Sequence, residues 1–303
     1  MSSKRILAFL VPAIVVAALA VALSGGTPSQ ARESSSPSTQ PVQSQATNPT
    51  KVFECFRVDA SSDQPGADAK ATVRLVTENF GGKLVRVRKL VAMCELAYKF
   101  PPPPAGVPDE VFPPTDADVR VFACYQVQRG QDPNDPFVLA TQNFGKDTVQ
   151  VRASQQMCEE AAKIRTDAAG NTTTVGQPSG VVWQCFNLDK AKSINQKFRV
   201  VTNNFGRDDA LVVKGAQLCE EARKDRITAS GEVTHSGEAT GRVVECFRLE
   251  SKLDPKAKVT LITKNFGAVD VLVRRATQMC EPGEKTPVYT LPNDPALDQP
   301  GDD

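Results

Sequence analysis

Histidine is almost missing from this sequence: His235 stands alone among 303 residues. A Ser-His-Asp or Cys-His relay, or a mixed Cys/His zinc site, would have to be built on that one side chain, which lies in a Gly/Ser/Thr-rich stretch. Net charge is missing too. With 36 basic and 35 acidic side chains, the chain has no basic footprint for nucleic acid and no strong attraction to an anionic membrane surface. No Cys-x-x-Cys pair, glycine-rich phosphate loop or acidic calcium loop occurs. The sequence therefore implies no cofactor, no metal and no catalytic constellation.

What is present begins with Lys4 and Arg5 ahead of an apolar run over residues 6–23, then small and polar residues ending in Ser29, Gln30 and Ala31. That order predicts a signal peptide over residues 1–31, with an uncleaved N-terminal membrane anchor as the alternative. Residues 32–50 are rich in Ser, Pro and Gln and read as a flexible linker. The chain is expected outside the cytosol: secreted, periplasmic or on the cell surface.

Four copies of one pattern follow, and they carry most of the information. The expected boundaries are residues 51–99, 119–163, 181–224 and 242–285, separated by a Pro-rich linker (100–118) and two Gly/Ser/Thr-rich linkers (164–180, 225–241), and followed by an acidic disordered tail (286–303). Equal spacing from Cys158 to Cys185 and from Cys219 to Cys246 leaves an extra hairpin open as the alternative for the second and third linkers. Leading cysteines are Cys55, Cys124, Cys185 and Cys246; closing cysteines are Cys94, Cys158, Cys219 and Cys280. Between them recurs Thr-x-Asn-Phe-Gly: Asn79, Phe80, Gly81; Asn143, Phe144, Gly145; Asn204, Phe205, Gly206; Asn265, Phe266, Gly267. From that Gly to the closing cysteine is thirteen positions in every copy.

Each copy reads as three strands. The first alternates around the leading cysteine, with Phe56, Tyr125, Phe186 or Phe247 next and Val58, Val127, Leu188 or Leu249 two further on. The second is almost wholly apolar or β-branched, as in "TVRLVT" and "VTLIT". Asn and Gly supply turn chemistry, Thr and Asn satisfy strand-end backbone groups, and the Phe folds back as a plug. After the closing cysteine, "CEEAAK" and "CEEARK" suggest at most a short turn or helix stub. The fold class is all-β: tandem small three-stranded disulfide-stapled repeats, able to pair into sandwich- or barrel-like units.

A unit of about 45 residues is too small for a self-sufficient core. Two cysteines per copy in an exported chain therefore read as four disulfides. In-copy pairing is favoured because Cys280 has no downstream copy, and each bridge would contribute about 3 to 4 kcal/mol through loop closure. The rival joins each closing cysteine to the next copy's leading one, with Cys55 and Cys280 closing the ends.

Functional candidates are few. Glu95, Glu159, Glu220 and Glu281 follow every closing cysteine, and a carboxylate present in all copies suggests a structural bond to a turn amide rather than a general acid. Cations on or beside the third strand (Arg86, Arg88, Lys89; Arg152; Lys214; Arg274, Arg275) could line an acidic-ligand groove or simply be solvated. Trp183 sits two before Cys185, a core position.

The order "ECFRL…TKNFGAVDVLV…MCEPGEK" resembles an uncharacterised repeat domain of exported bacterial proteins, over roughly residues 51–285; Glu160 and Glu221 depart from its Cys-x-Pro ending. The resemblance implies export and a small β domain, and no activity. The expected function is a non-enzymatic, surface or secreted binding or structural protein, whose partner is an unknown extracellular or envelope protein or glycan. An exported carboxylate-dependent hydrolase is the alternative, and a thiol redox or metal-binding protein the third.

Overall fold

The computed structural model describes residues 49–101, 113–115, 117–167, 169–227 and 230–288. The signal peptide or anchor, nearly all of the first linker, most of the Pro-rich linker and all of the acidic tail beyond Val288 lie outside these residues.

Among the described residues there is no α-helix, and every copy has its three strands. Leading strands are β1 (Thr50–Ala60), β4 (Val121–Gln128), β8 (Val182–Asp189) and β12 (Val243–Glu250). Second strands are β2 (Asp68–Thr77), β5 (Asp135–Thr141), β9 (Ser193–Thr202) and β13 (Ala257–Thr263). Third strands are much longer: β3 (Gly81–Phe100), β6 (Gly145–Thr166), β10 (Gly206–Ile227) and β14 (Gly267–Pro287). They run straight through the closing cysteine, so the expected turn or helix stub is instead strand. In β6 both faces are buried there, from Met157 to Lys163, and ladder bonds plus two-sided burial outweigh a helix propensity of a few tenths of a kcal/mol per residue.

The Thr-x-Asn-Phe-Gly turns form as tight hairpins. Only the Gly takes positive φ (67° at Gly81 and Gly145, 74° at Gly206, 75° at Gly267), which a side chain would resist. The Thr hydroxyl accepts the Phe N–H: Thr77 from Phe80 at 3.2 Å, Thr141 from Phe144 at 3.4 Å, Thr202 from Phe205 and Thr263 from Phe266 at 3.1 Å.

The four repeats do not stand apart. Within each, the leading strand pairs antiparallel with the long strand, and the long strand pairs with the next repeat's leading strand. β14 then pairs with β1 and closes an eight-stranded barrel. Between repeats the register slips by two: Cys55 faces Cys94 within repeat one, whereas Cys124 faces Ala92 across the junction. Repeated at four junctions, this gives an eight-strand barrel just wide enough for side chains to fill. Bulges recur at equivalent places in every junction, between Val87 and Ala92, Val151 and Gln156, Val212 and Gln217, and Cys55 and Val58. They add the bend a long strand needs to curl around so small a barrel.

Each long strand then continues beyond the barrel and pairs with the second strand of the repeat two along: β3 with β9, β6 with β13, β10 with β2 and β14 with β5. The second and third linkers carry two further strands, β7 (Thr172–Val175) on β6 and β11 (Val233–Ser236) on β10. These are the hairpins that equal spacing had left open. The first residues assigned to the tail, Thr286 and Pro287, pair with Val138 and Phe137 of β5.

Candidate functional site: a sulfur ring inside a ring of buried ion pairs

Strand alternation sends every cysteine to the barrel interior. All eight are paired within their copies: Cys55–Cys94, Cys124–Cys158, Cys185–Cys219 and Cys246–Cys280. Because the barrel is closed, these bridges meet in one cluster rather than in four separate cores. Sulfurs of neighbouring bridges touch: Cys94 and Cys124 at 3.7 Å, Cys55 and Cys280 at 3.8 Å, Cys219 and Cys246 at 3.6 Å. Above them Phe53, Phe122, Trp183 and Val244 form an apolar funnel around a cavity of about 30 Å³. Phe53 meets Phe122 edge-on with ring centres 5.3 Å apart, a favoured aromatic geometry. Trp183 is thus the core residue its position suggested. Arg120, just before β4, pairs with Glu160 of β6 (2.6 Å), and Arg242, just before β12, pairs with Glu221 of β10 (2.5 Å). Glu160 and Glu221, like Leu96 in the first copy, stand where the fourth copy has the Pro of Cys-x-Pro.

Around the outside of the barrel runs a second ring. The Glu after each closing cysteine is fully buried and joins three repeats. Glu220 accepts the Asn79 side-chain amide at 2.8 Å and its backbone N–H at 3.0 Å, and pairs with Lys285 at 2.6 Å. Glu159 accepts the Asn265 amide at 2.5 Å and pairs with Lys224 at 2.6 Å. Glu281 binds Asn143 and pairs with Lys99 at 2.8 Å; Glu95 accepts the Asn204 amide at 2.8 Å and pairs with Lys163. Each lysine also lies over the motif Phe of the following repeat: Lys99 over Phe144 (4.3 Å), Lys163 over Phe205 (4.8 Å), Lys224 over Phe266 (4.9 Å), Lys285 over Phe80 (4.2 Å). These are cation–π contacts in a desolvated setting, where they are strongest. Burial holds Lys99, Lys224 and Lys285 below the ordinary lysine range, while the facing carboxylate acts in the opposite direction.

Motif Asn and Phe therefore have work the sequence did not reveal. The Asn side chain leaves its own hairpin and docks on the repeat two along. The Phe packs there, with its ring tilted, against the aromatic that follows the leading cysteine: Phe80 against Phe186 (4.6 Å), Phe144 against Phe247 (4.4 Å), Phe205 against Phe56 (4.8 Å), Phe266 against Tyr125 (4.7 Å). The lysines were missed by sequence reasoning. Their signal was available, a Lys five positions after every closing cysteine, but nothing local says what a lysine there would face.

Two glutamates outside this ring, each just before a leading cysteine, are strongly raised. Glu54, just before Cys55, is pushed well above the usual carboxylate range by burial and by the charges of Asp208 and Glu95. Glu245, just before Cys246, is raised to about 8 by burial and by Asp147 and Glu281. Neither lines the sulfur cavity or the two larger surface cavities. Of the third-strand cations, Arg88 pairs with Asp68, Arg152 with Asp132 and Asp189, and Arg274 with Asp59. His235 lies on β11, with Nδ1 2.7 Å from Asp225 Oδ1. Compared with known proteins, the chain matches no family, no curated protein and no solved structure.

Proposed function

We propose that this is an exported, non-enzymatic protein that acts at the cell surface or after secretion, as a binding module or as a structural part of the envelope, with a protein or glycan partner. The observation that carries this reading is the barrel's centre: four disulfides fill the position a hydrophobic plug would otherwise occupy. Such bridges form and persist in oxidising compartments. The polar residues common to all four copies support the non-enzymatic part, because Glu, Lys, Asn and Thr are committed to one another and to backbone.

The test is a fusion of residues 1–50 to a reporter enzyme active only outside the cytosol, with N-terminal sequencing of the exported full chain. Reporter activity and a start near Arg32 support the reading; a cytosolic product with free thiols sinks it. Binding is read by titrating labelled full chain onto envelope fractions before and after protease or deglycosylation, and saturable binding lost to one treatment names the partner class. The hydrolase reading keeps one supporting observation, the raised Glu245, and predicts an ester- or glycoside-cleaving activity that Glu245→Gln abolishes.

A further inference from the structure

Solvent contact around the sulfur ring is uneven in a regular way. Each leading cysteine is closed off at 1% exposure, whereas the closing ones keep a little: Cys94 8%, Cys158 7%, Cys219 5% and Cys280 5%. Those same four line the funnel cavity of about 30 Å³. A water molecule needs about 10–15 Å³ of such space, so the cavity beside these four residues has room for one small group such as the head of a thiolate. Behind three of the four, Cys94, Cys158 and Cys280, the leading cysteine of the same bridge touches the next bridge. Cys124 lies beside Cys94, Cys55 beside Cys280, and Cys246 beside Cys219. Every contact thus joins a leading cysteine to the closing cysteine of the repeat before it.

The geometry points to a thiol–disulfide exchange relay, entered through the funnel by a low-molecular-weight thiolate and converting in-repeat bridges into between-repeat ones. This goes beyond the functional reading above and does not depend on it. The thiolate attacks Cys158 Sγ, forming a mixed disulfide; the Cys124–Cys158 bond breaks and its electron pair leaves on Cys124. Cys124 attacks Cys94, forming Cys94–Cys124 and releasing Cys55. Cys55 attacks Cys280 and releases Cys246, which attacks Cys219 and releases Cys185. One thiolate is present at every stage, so no oxidant or reductant is consumed.

Cys185 and Cys158 also line the funnel together. Their strands have the register of the other junctions, with Cys185 facing Gln156 and Trp183 facing Cys158. Cys185 can therefore displace the small thiol from Cys158, which returns the thiol and leaves four bridges between repeats. The physical consequence is a latch. In-repeat bridges leave each junction held by hydrogen bonds and packing; between-repeat bridges lock all four junctions covalently around the same sulfurs.

The test uses the folded full chain with 2-mercaptoethanol below one equivalent, without oxygen, at pH about 8, where a minor fraction of the added thiol is the attacking thiolate. After acid quench and alkylation, disulfide-linked peptides are mapped, with circular dichroism confirming that the barrel persists. The expected result is gain of Cys94–Cys124, Cys55–Cys280, Cys219–Cys246 and Cys158–Cys185 at the expense of the in-repeat linkages. A parallel sample in denaturant should instead give non-neighbour pairs such as Cys55–Cys185. The relay is overturned if the folded chain keeps only in-repeat linkages, stops at a mixed disulfide, or forms non-neighbour pairs as readily as neighbour pairs.

Discussion

Replacing Glu159 by Gln removes one charge from the buried ring while keeping the side chain's shape. Glu159 and Lys224 have side chains 0% and 1% exposed and lie 2.6 Å apart. At an effective dielectric of about 20 their attraction is about 6 kcal/mol, most of it offset by the cost of dehydrating both groups. Removing one partner leaves that dehydration uncompensated on Lys224, which typically costs about 3–5 kcal/mol. Gln retains an oxygen for the Asn265 N–H groups at 2.5 and 3.2 Å, so the expected loss is about 3–4 kcal/mol. That is a large fraction of a typical 5–15 kcal/mol total. Equilibrium unfolding in guanidinium with disulfides intact reads it as a lower midpoint at unchanged slope. Adding Lys224→Met should recover about 2 kcal/mol of the loss, because the stranded charge is then gone. A single-variant cost below about 1 kcal/mol, or a coupling near zero, would refute the account of this ring.

Three further outcomes follow from other parts of the molecule. Phe80→Ala empties a site bounded by Phe137, Phe186 and Lys285 and should cost about 3–5 kcal/mol in the same unfolding assay, a loss under about 1 kcal/mol contradicting the cross-barrel docking. Glu245 has an ordinary value of 4.5 and is raised to about 8 on folding, so its contribution is fully present below pH 4.5 and is lost as pH rises through about 8. Stability should therefore fall across that window by about 5 kcal/mol at most, and a Glu245→Gln protein with the same pH profile as the parent would show the group is not responsible. A chain ending at residue 241 lacks β12, β13 and β14, so the turns of repeat two lose Glu281 and Phe247; it should show no cooperative unfolding transition, and a sharp one would mean that repeats fold independently.

How much of this was legible beforehand differs by kind of feature. Strand alternation around Cys55 and its equivalents, the β-branched second strands and the Gly turns rest on backbone chemistry within a few residues, and they appear where the sequence placed them. In-repeat bridges also followed, since Cys280 has no downstream copy to pair with, and the pairing of β1 with β3 places Cys55 opposite Cys94. The strand beyond each closing cysteine was misread because its helix-forming residues decide nothing once both faces are covered. The two Gly/Ser/Thr-rich connections looked like linkers because β7 and β11 fold back on the ends of β6 and β10, whose continuation past the closing cysteine was the part misread.

The sequence by itself determined four copies with two cysteines each, all-β local structure and the residues that would staple each copy, because period, turn chemistry and loop length are short-range properties. Only the tertiary structure decided that the copies close into one barrel. That closure alone brings Glu159 to Lys224 and to Asn265, 65 and 106 positions away in the chain, and sets eight sulfurs in contact. A repeat specifies its own strands and cannot specify which copy it faces: four similar units are interchangeable until the register at each junction, summed around the ring, allows the last strand to meet the first.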